Sequence, residues 1–126
     1  MTEIIDTPNA PKPIGPYSQA VKSGNLIFLS GQIAIDPSSG QIINDSVSSE
    51  TNQIMKNIEA VLLAAGQDLS SIIKTSIFLT DMNYFPVVNE EYAKWFNSNF
   101  PARETVQVAG LPKGVRIEIS VIATVK

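Results

Sequence analysis

The chain has no histidine and no cysteine among its 126 residues. Those two absences remove the Ser-His-Asp triad, the thiolate nucleophile and every imidazole or thiolate metal site. They also remove a disulfide framework, so nothing here imposes a redox compartment. Charge is scarce: charged residues make up 17%, with nine basic against twelve acidic side chains and a net charge of −3. The basic residues are scattered, whereas a phosphate backbone needs a basic stripe, so no nucleic-acid partner is expected. Apolar runs such as Leu26-Ile27-Phe28-Leu29 are far too short to span a bilayer. Glu3 and Asp6 stand where a secretory signal would be basic and then apolar, so a soluble, cytoplasmic protein without a membrane partner is the expectation. Any catalysis must use a guanidinium, carboxylates, hydroxyls and backbone N–H groups.

What is present describes one domain, residues 1–126, with 44% hydrophobic residues and enough length for a single core. So uncharged a surface on so small a chain hints that other copies cover part of it. Residues 7–16 hold four prolines and a glycine and read as an extended arm. Strands are predicted at 17–22 and 26–35, joined as a hairpin through Ser23-Gly24-Asn25, with a brief strand at 41–43. The hydrophobic period then changes. Val47, Ile54, Ile58, Val61, Leu62 and Ala65 share a helical face, with Asp45, Ser46 or Ser48 as the candidate cap and Gly66 as the stop. A strand at 72–80 follows, then a helix at 83–97 burying Phe85, Val88, Tyr92, Trp95 and Phe96, with Pro86 in its first turn. Strands at 105–109 and 115–125 close the chain. Interleaved elements of this kind predict an α+β domain with helices on one face of a mixed sheet.

Two charged residues stand out. Arg103 follows a proline turn, and its fork of donors suits two-point contact with a carboxylate; a surface ion pair with Glu104 or Glu90 is the competing reading. Glu118 alternates with Ile117 and Ile119, on a face shared with Arg116, Ser120, Ile122 and Thr124. Ile122 argues that this face is not wholly solvated, and a carboxylate at a covered edge is a candidate base. Tyr17, after Gly15-Pro16, either donates a phenolic hydrogen bond or packs. Gly31, in Ser30-Gly31-Gln32, interrupts an apolar strand and marks a bulge or a close backbone approach. Asn89 reads as a surface amide.

Pro13-Ile14-Gly15-Pro16-Tyr17-Ser18-Gln19-Ala20, Leu29-Ser30-Gly31-Gln32, Asn57-Ile58-Glu59-Ala60-Val61-Leu62, Phe78-Leu79-Thr80-Asp81-Met82, Val88-Asn89-Glu90-Glu91-Tyr92 and Pro101-Ala102-Arg103 with Ile117-Glu118-Ile119 together resemble the RidA, or YjgF-type, family. The resemblance runs in order over nearly the whole chain. It implies a chorismate-mutase-like fold, a homotrimer with ligand clefts at subunit interfaces, and cofactor-free, metal-free hydrolysis of 2-enamine and 2-imino acids to 2-keto acids and ammonia. It assigns Arg103, Glu118 and Tyr17 to catalysis and Arg103, Ser30, Gly31, Asn89 and Thr105 to substrate binding, the last through its backbone N–H. A non-catalytic module binding small carboxylates on the same fold is the alternative. Glu104 stands where the family usually has a small or apolar residue, Thr105 where some members carry cysteine, and Ser120 where a second glutamate is common. If residues 103 and 104 are both extended, their side chains diverge to opposite faces.

Overall fold

The computed structural model describes residues 2–126. Six strands form one sheet: β1 (Thr2–Ile5), β2 (Ala20–Ser23), β3 (Leu26–Leu29), β4 (Ile72–Leu79), β5 (Ala102–Gln107) and β6 (Ile117–Thr124). Helices α1 (Val47–Ala64) and α2 (Phe85–Ala93) lie between β3 and β4 and between β4 and β5. The spatial order is β1-β2-β3-β6-β4-β5, antiparallel except for the β4–β5 pair. That parallel pair follows from the α2 crossover, because a tight hairpin cannot join parallel neighbours. The domain is the expected α+β layer with a mixed sheet.

The core lies between the sheet and the two helices. Ile54, Met55, Ile58, Val61 and Leu62 of α1 meet Ile77 and Leu79 of β4 and Ile117 and Ile119 of β6, all essentially inaccessible. Of the three candidate caps, Ser46 accepts from the N–H of Ser49. At the other end Gly66 takes φ +79°, and Gln67 donates back to the Leu62 carbonyl at 2.9 Å, the αL stop that glycine permits. Buried Glu50 ties α1 to the entry of β6, accepting from Arg116 Nε at 2.8 Å and from the Arg116 backbone N–H at 3.1 Å.

Several boundaries depart from the sequence reading. β1 was not foreseen, because of its four residues only Ile5 is buried and no alternation announces it. The strand expected at 17–22 begins at Ala20, since Tyr17 closes a tight turn on the Gly15 carbonyl. The one expected at 26–35 stops at Leu29; beyond it only Gln32 bridges Ile119, and the Asn57 side chain claims the Ile33 and Ile35 carbonyls. The brief strand at 41–43 is a single bridge between Ile42 and Ile35. Asp81 caps a 3₁₀ turn at Met82–Tyr84 that precedes α2, and Trp95 and Phe96 pack on the core from beyond its end. β5 starts three residues earlier than expected and ends at Gln107, while β6 is trimmed at both ends to Ile117–Thr124.

Both helices sit on one face, so the opposite face of the sheet is uncovered. Ile4, Phe28 and Val106 are exposed, and Phe78 and Ile122 remain partly accessible. Ile58→Ala should lower stability by about 2–5 kcal/mol, the usual cost of a large-to-small change in a packed core. Denaturant unfolding at fixed protein concentration checks this, and a loss well under 1 kcal/mol would contradict such packing (roughly the range of exposed-site substitutions).

Candidate active site

β6 alternates strictly: Ile117, Ile119, Val121 and Ala123 are buried beneath the helices, which sends Glu118, Ser120 and Ile122 to the open face. Glu118 pairs in register with Phe78. The chain leaving β3 passes over it, because the Gln32–Ile119 bridge lays Gly31 on the Glu118 side chain. A Cβ at residue 31 would lie 2.7 Å from Glu118 Cδ, so only glycine leaves room for that carboxylate. Ile14, Tyr17, Ser30, Gly31, Pro112 and Glu118 line a cleft of about 260 Å³. Burial pushes the Glu118 carboxyl above the ordinary carboxylate range. The Tyr17 hydroxyl accepts from the Ile14 N–H at 3.1 Å, and the Ser30 hydroxyl donates to the Ser18 carbonyl at 2.6 Å.

Arg103 occupies a different surface. It pairs in register with Thr75, a fully buried residue of β4, and so points to the helix side of the sheet. There its guanidinium carbon lies 5.6 Å from the centre of the Phe85 ring and 5.3 Å from that of Tyr92. Tyr92 is itself anchored, its hydroxyl donating to Thr75 Oγ1 at 2.9 Å. Burial raises the Tyr92 phenol above its usual value. Asn89, Tyr92, Ala93, Phe100, Pro101 and Arg103 line a cleft of about 400 Å³. Among the described residues Arg103 makes no ion pair, so the expected competition from Glu104 or Glu90 is absent.

The strand pleat explains why. Glu104 pairs with Ser76 and faces the open side, where Lys74 Nζ holds it at 2.9 Å and the Ser76 hydroxyl donates to it. The Ser76 and Lys74 hydrogen bonds hold its carboxyl below the usual range. Thr105 returns to the Arg103 face, and its Oγ1 is buried without a hydrogen-bond partner. The β4–β5 ladder continues to Val108, whose N–H donates to the Leu79 carbonyl. The two-residue repeat of a strand therefore turns the Thr105 N–H away from β4, toward the free edge of the sheet.

The predicted site residues thus form two groups. Tyr17, Ser30, Gly31 and Glu118 come together on one surface, and Arg103, Asn89 and Thr105 on another. Arg103 and Glu118 lie on strands successive in sequence, β5 and β6, but β4 lies between these two in the sheet. Their register positions, Thr75 and Phe78, differ by three residues, which puts the two Cα atoms roughly 14 Å apart at standard strand spacing. Sequence reasoning missed Ile14, Phe100 and Pro112 as cleft walls and Phe85 and Tyr92 as the arginine's platform. The last two carried only a helix-core signal. A larger groove of about 580 Å³, lined by Glu59, Asp68 and Lys126 among others, lies apart from both groups.

Gly31→Ala should leave the fold intact, because the group that must yield is the flexible end of Glu118. The carboxylate would leave its niche, and carboxyl-carbon NMR should show Glu118 titrating nearer the ordinary range. An unchanged titration would contradict the crowding.

Residues 7–125 match the family model described as Endoribonuclease L-PSP. The chain is 52% identical to a RutC family protein of Pyrococcus horikoshii over 123 residues, covering 98% of each. It is also 52% identical to the human 2-iminobutanoate/2-iminopropanoate deaminase over 120 residues, covering 95% of this chain and 88% of that one. Two crystal structures of Escherichia coli proteins superpose closely, each over 98% of this chain and 99% of the other. They are the YjgF gene product, with TM-score 0.94 and 43% identity, and TdcF with bound serine, with TM-score 0.94 and 41% identity. With sequence and fold both matched over nearly its whole length, the chain belongs to the RidA, or YjgF-type, family.

Proposed function

We propose that the protein hydrolyses reactive 2-imino acids, and the enamines in equilibrium with them, to 2-keto acids and ammonia. The observation that carries this reading is a guanidinium in no ion pair among the described residues, Arg103, and a half-buried carboxylate held above its ordinary range, Glu118, each lining a cleft. In a 2-imino acid the reacting carbon is bonded directly to the carboxylate, so clamp and base must reach adjacent atoms. One chain holds them on opposite faces of its sheet. A second copy therefore supplies the other half: Arg103, Asn89 and Thr105 from one subunit face Tyr17, Ser30, Gly31 and Glu118 of its neighbour. The uncovered sheet face, with Ile4, Phe28 and Val106 exposed, is the surface such an assembly buries, in a homotrimer with three clefts. The names of the human and rodent relatives and the serine held by TdcF support a small amino- or imino-acid ligand.

In this reading Arg103 grips the substrate carboxylate through two N–H donors, and its stacking on Phe85 and Tyr92 limits where that grip points. The outward N–H of Thr105 and its unpartnered Oγ1 add donors beside it. Glu118, ionised, takes a proton from a water that attacks C2, forming a carbinolamine. Protonated Glu118 returns that proton to the nitrogen, completing the carbinolamine. The C2 hydroxyl then gives its proton through Glu118 to the amine as the C–N bond breaks, so ammonia leaves, the hydroxyl oxygen becomes the keto oxygen and Glu118 is ionised again. Water is consumed, nothing is oxidised or reduced, and no cofactor or metal takes part. The alternative, a binding module without turnover, drew its support from Glu104 beside Arg103. Glu104 faces the other way, held by Lys74 and Ser76, which removes that support.

Light scattering should give three times the 13.6 kDa of one chain, and a monomer would overturn the shared cleft. Coupled to a threonine dehydratase, the wild-type protein should speed keto-acid release. Arg103→Lys should lower kcat/KM by roughly 10- to 100-fold, as loss of a charge-assisted hydrogen bond does, and full activity in Arg103→Ala would sink the reading. Because Glu118 must be ionised and burial raises its pKa, kcat/KM should fall as pH drops through a value above about 4.3, the ordinary glutamate figure. Glu118→Gln should lose most of the activity and that acidic limb with it.

A further inference from the structure

We propose that Gln19 is a positioning residue: its buried amide fixes the arm that carries Ile14 and Tyr17, and so places the Tyr17 hydroxyl as a donor into the cleft. This rests on the preceding reading for the reaction, though not for the geometry. Gln19 is 2% exposed, and its amide is spent entirely on the backbone of residues 7–11. Oε1 accepts from the Thr7 N–H at 2.7 Å. Nε2 donates to the carbonyls of Thr7 at 3.0 Å, Pro11 at 2.9 Å and Ala10 at 3.3 Å, two hydrogens shared among three acceptors. Nothing is left over for a ligand, so Gln19 acts through the arm.

The arm needs that hold. Pro8, Pro11, Pro13 and Pro16 remove four backbone donors between residues 7 and 16, and no strand ladder includes this stretch. Its buried carbonyls would go unpaired without Gln19, and its path would no longer be defined. The backbone of Gln19 sits beside the cleft as well: its carbonyl accepts from the Ser30 N–H at 3.0 Å, one residue before Gly31. One residue therefore joins the arm on one side to the Ser30-Gly31 wall on the other.

The consequence falls on Tyr17. The arm ends in a turn in which Tyr17 donates its N–H to the Gly15 carbonyl at 2.9 Å. Its ring folds back so that its oxygen accepts from the Ile14 N–H at 3.1 Å. With the phenolic oxygen already accepting, its own hydrogen is free to be donated, and the ring stands 45% exposed in the Glu118 cleft. If the arm shifts, the Ile14 N–H is lost as the oxygen's partner and the hydroxyl is free to rotate.

The test uses the full-length protein and the variants Gln19→Met, which keeps the chain length and removes every hydrogen bond, Tyr17→Phe, and the two combined. In wild type the Gln19 side-chain amide protons and the Thr7 and Ile14 amides should exchange slowly with solvent by NMR. Fast exchange at all of them overturns the proposal without any variant being made. In Gln19→Met the Thr7 and Ile14 amides should exchange faster while those of α1 keep their protection. For imine hydrolysis, Gln19→Met should lower kcat about tenfold, within the range that slight misplacement of a reacting group produces. Its Kd for 2-oxobutanoate should stay within about twofold of wild type, because Arg103 lies on the other surface. Tyr17→Phe should lose a comparable factor, and the double variant should lose little more than either single one. Losses that multiply, or a Gln19→Met defect confined to KM, would show a general structural role and overturn the proposal. An inactive wild type with slow arm exchange would count against imine hydrolysis alone.

Discussion

The whole arrangement depends on a sheet covered on one face only. β6 runs through its middle, and burying Ile117, Ile119, Val121 and Ala123 beneath α1 leaves no freedom in where Glu118 points. The same pleat acts on β5. Register with the buried Thr75 sends Arg103 beneath α2 and sends Glu104 to the open side with Lys74 and Ser76. Arg103 and Glu118, which the proposed reaction needs together, are thereby held apart within one chain, by hydrophobic burial that outweighs any single surface charge interaction. The open apolar face and the separation of Arg103 from Glu118 are two consequences of one constraint.

Each of the two groups is tied to its surroundings by several contacts. Arg103 rests on two rings, one of them hydrogen-bonded into the core through Thr75. Glu118 is confined by Gly31, whose backbone lies on it because Gln32 bridges Ile119. The arm reaches the same cleft from the opposite side, held by a buried amide and not by strand pairing. Without histidine or thiol, chemistry of the proposed kind relies on placement, and placement needs groups whose rotamers have few alternatives.

Where the elements lie was largely legible in the chain. The α1 face from Val47 to Ala65, its stop at Gly66, the start of a strand at Leu26 and the alternation around Glu118 were all correctly read. These signals are periodic, and a period survives without its partners. The misses share a cause. β1 pairs at an edge and buries only Ile5; the strand at Leu26 ends where Asn57 of a distant helix takes the Ile33 and Ile35 carbonyls; Trp95 and Phe96 pack into the core from beyond the end of α2. Each boundary is set by a contact remote in sequence, which local propensity does not contain.

The site divides along the same line. By itself the sequence determined the inventory: which groups were available for chemistry, that Arg103 and Glu104 diverge once extended, and that Glu118 faces away from the core. Those follow from composition and from the two-residue repeat of a strand. Only the tertiary structure decided that β4 lies between β5 and β6, in a register that puts Arg103 and Glu118 on opposite faces, and that Phe85 and Tyr92 carry the guanidinium while Gln19 holds the arm. Strand order and the close approach of distant backbone are settled by how one hydrophobic face is covered. That is a property of the packed chain as a whole, and no local stretch of residues encodes it.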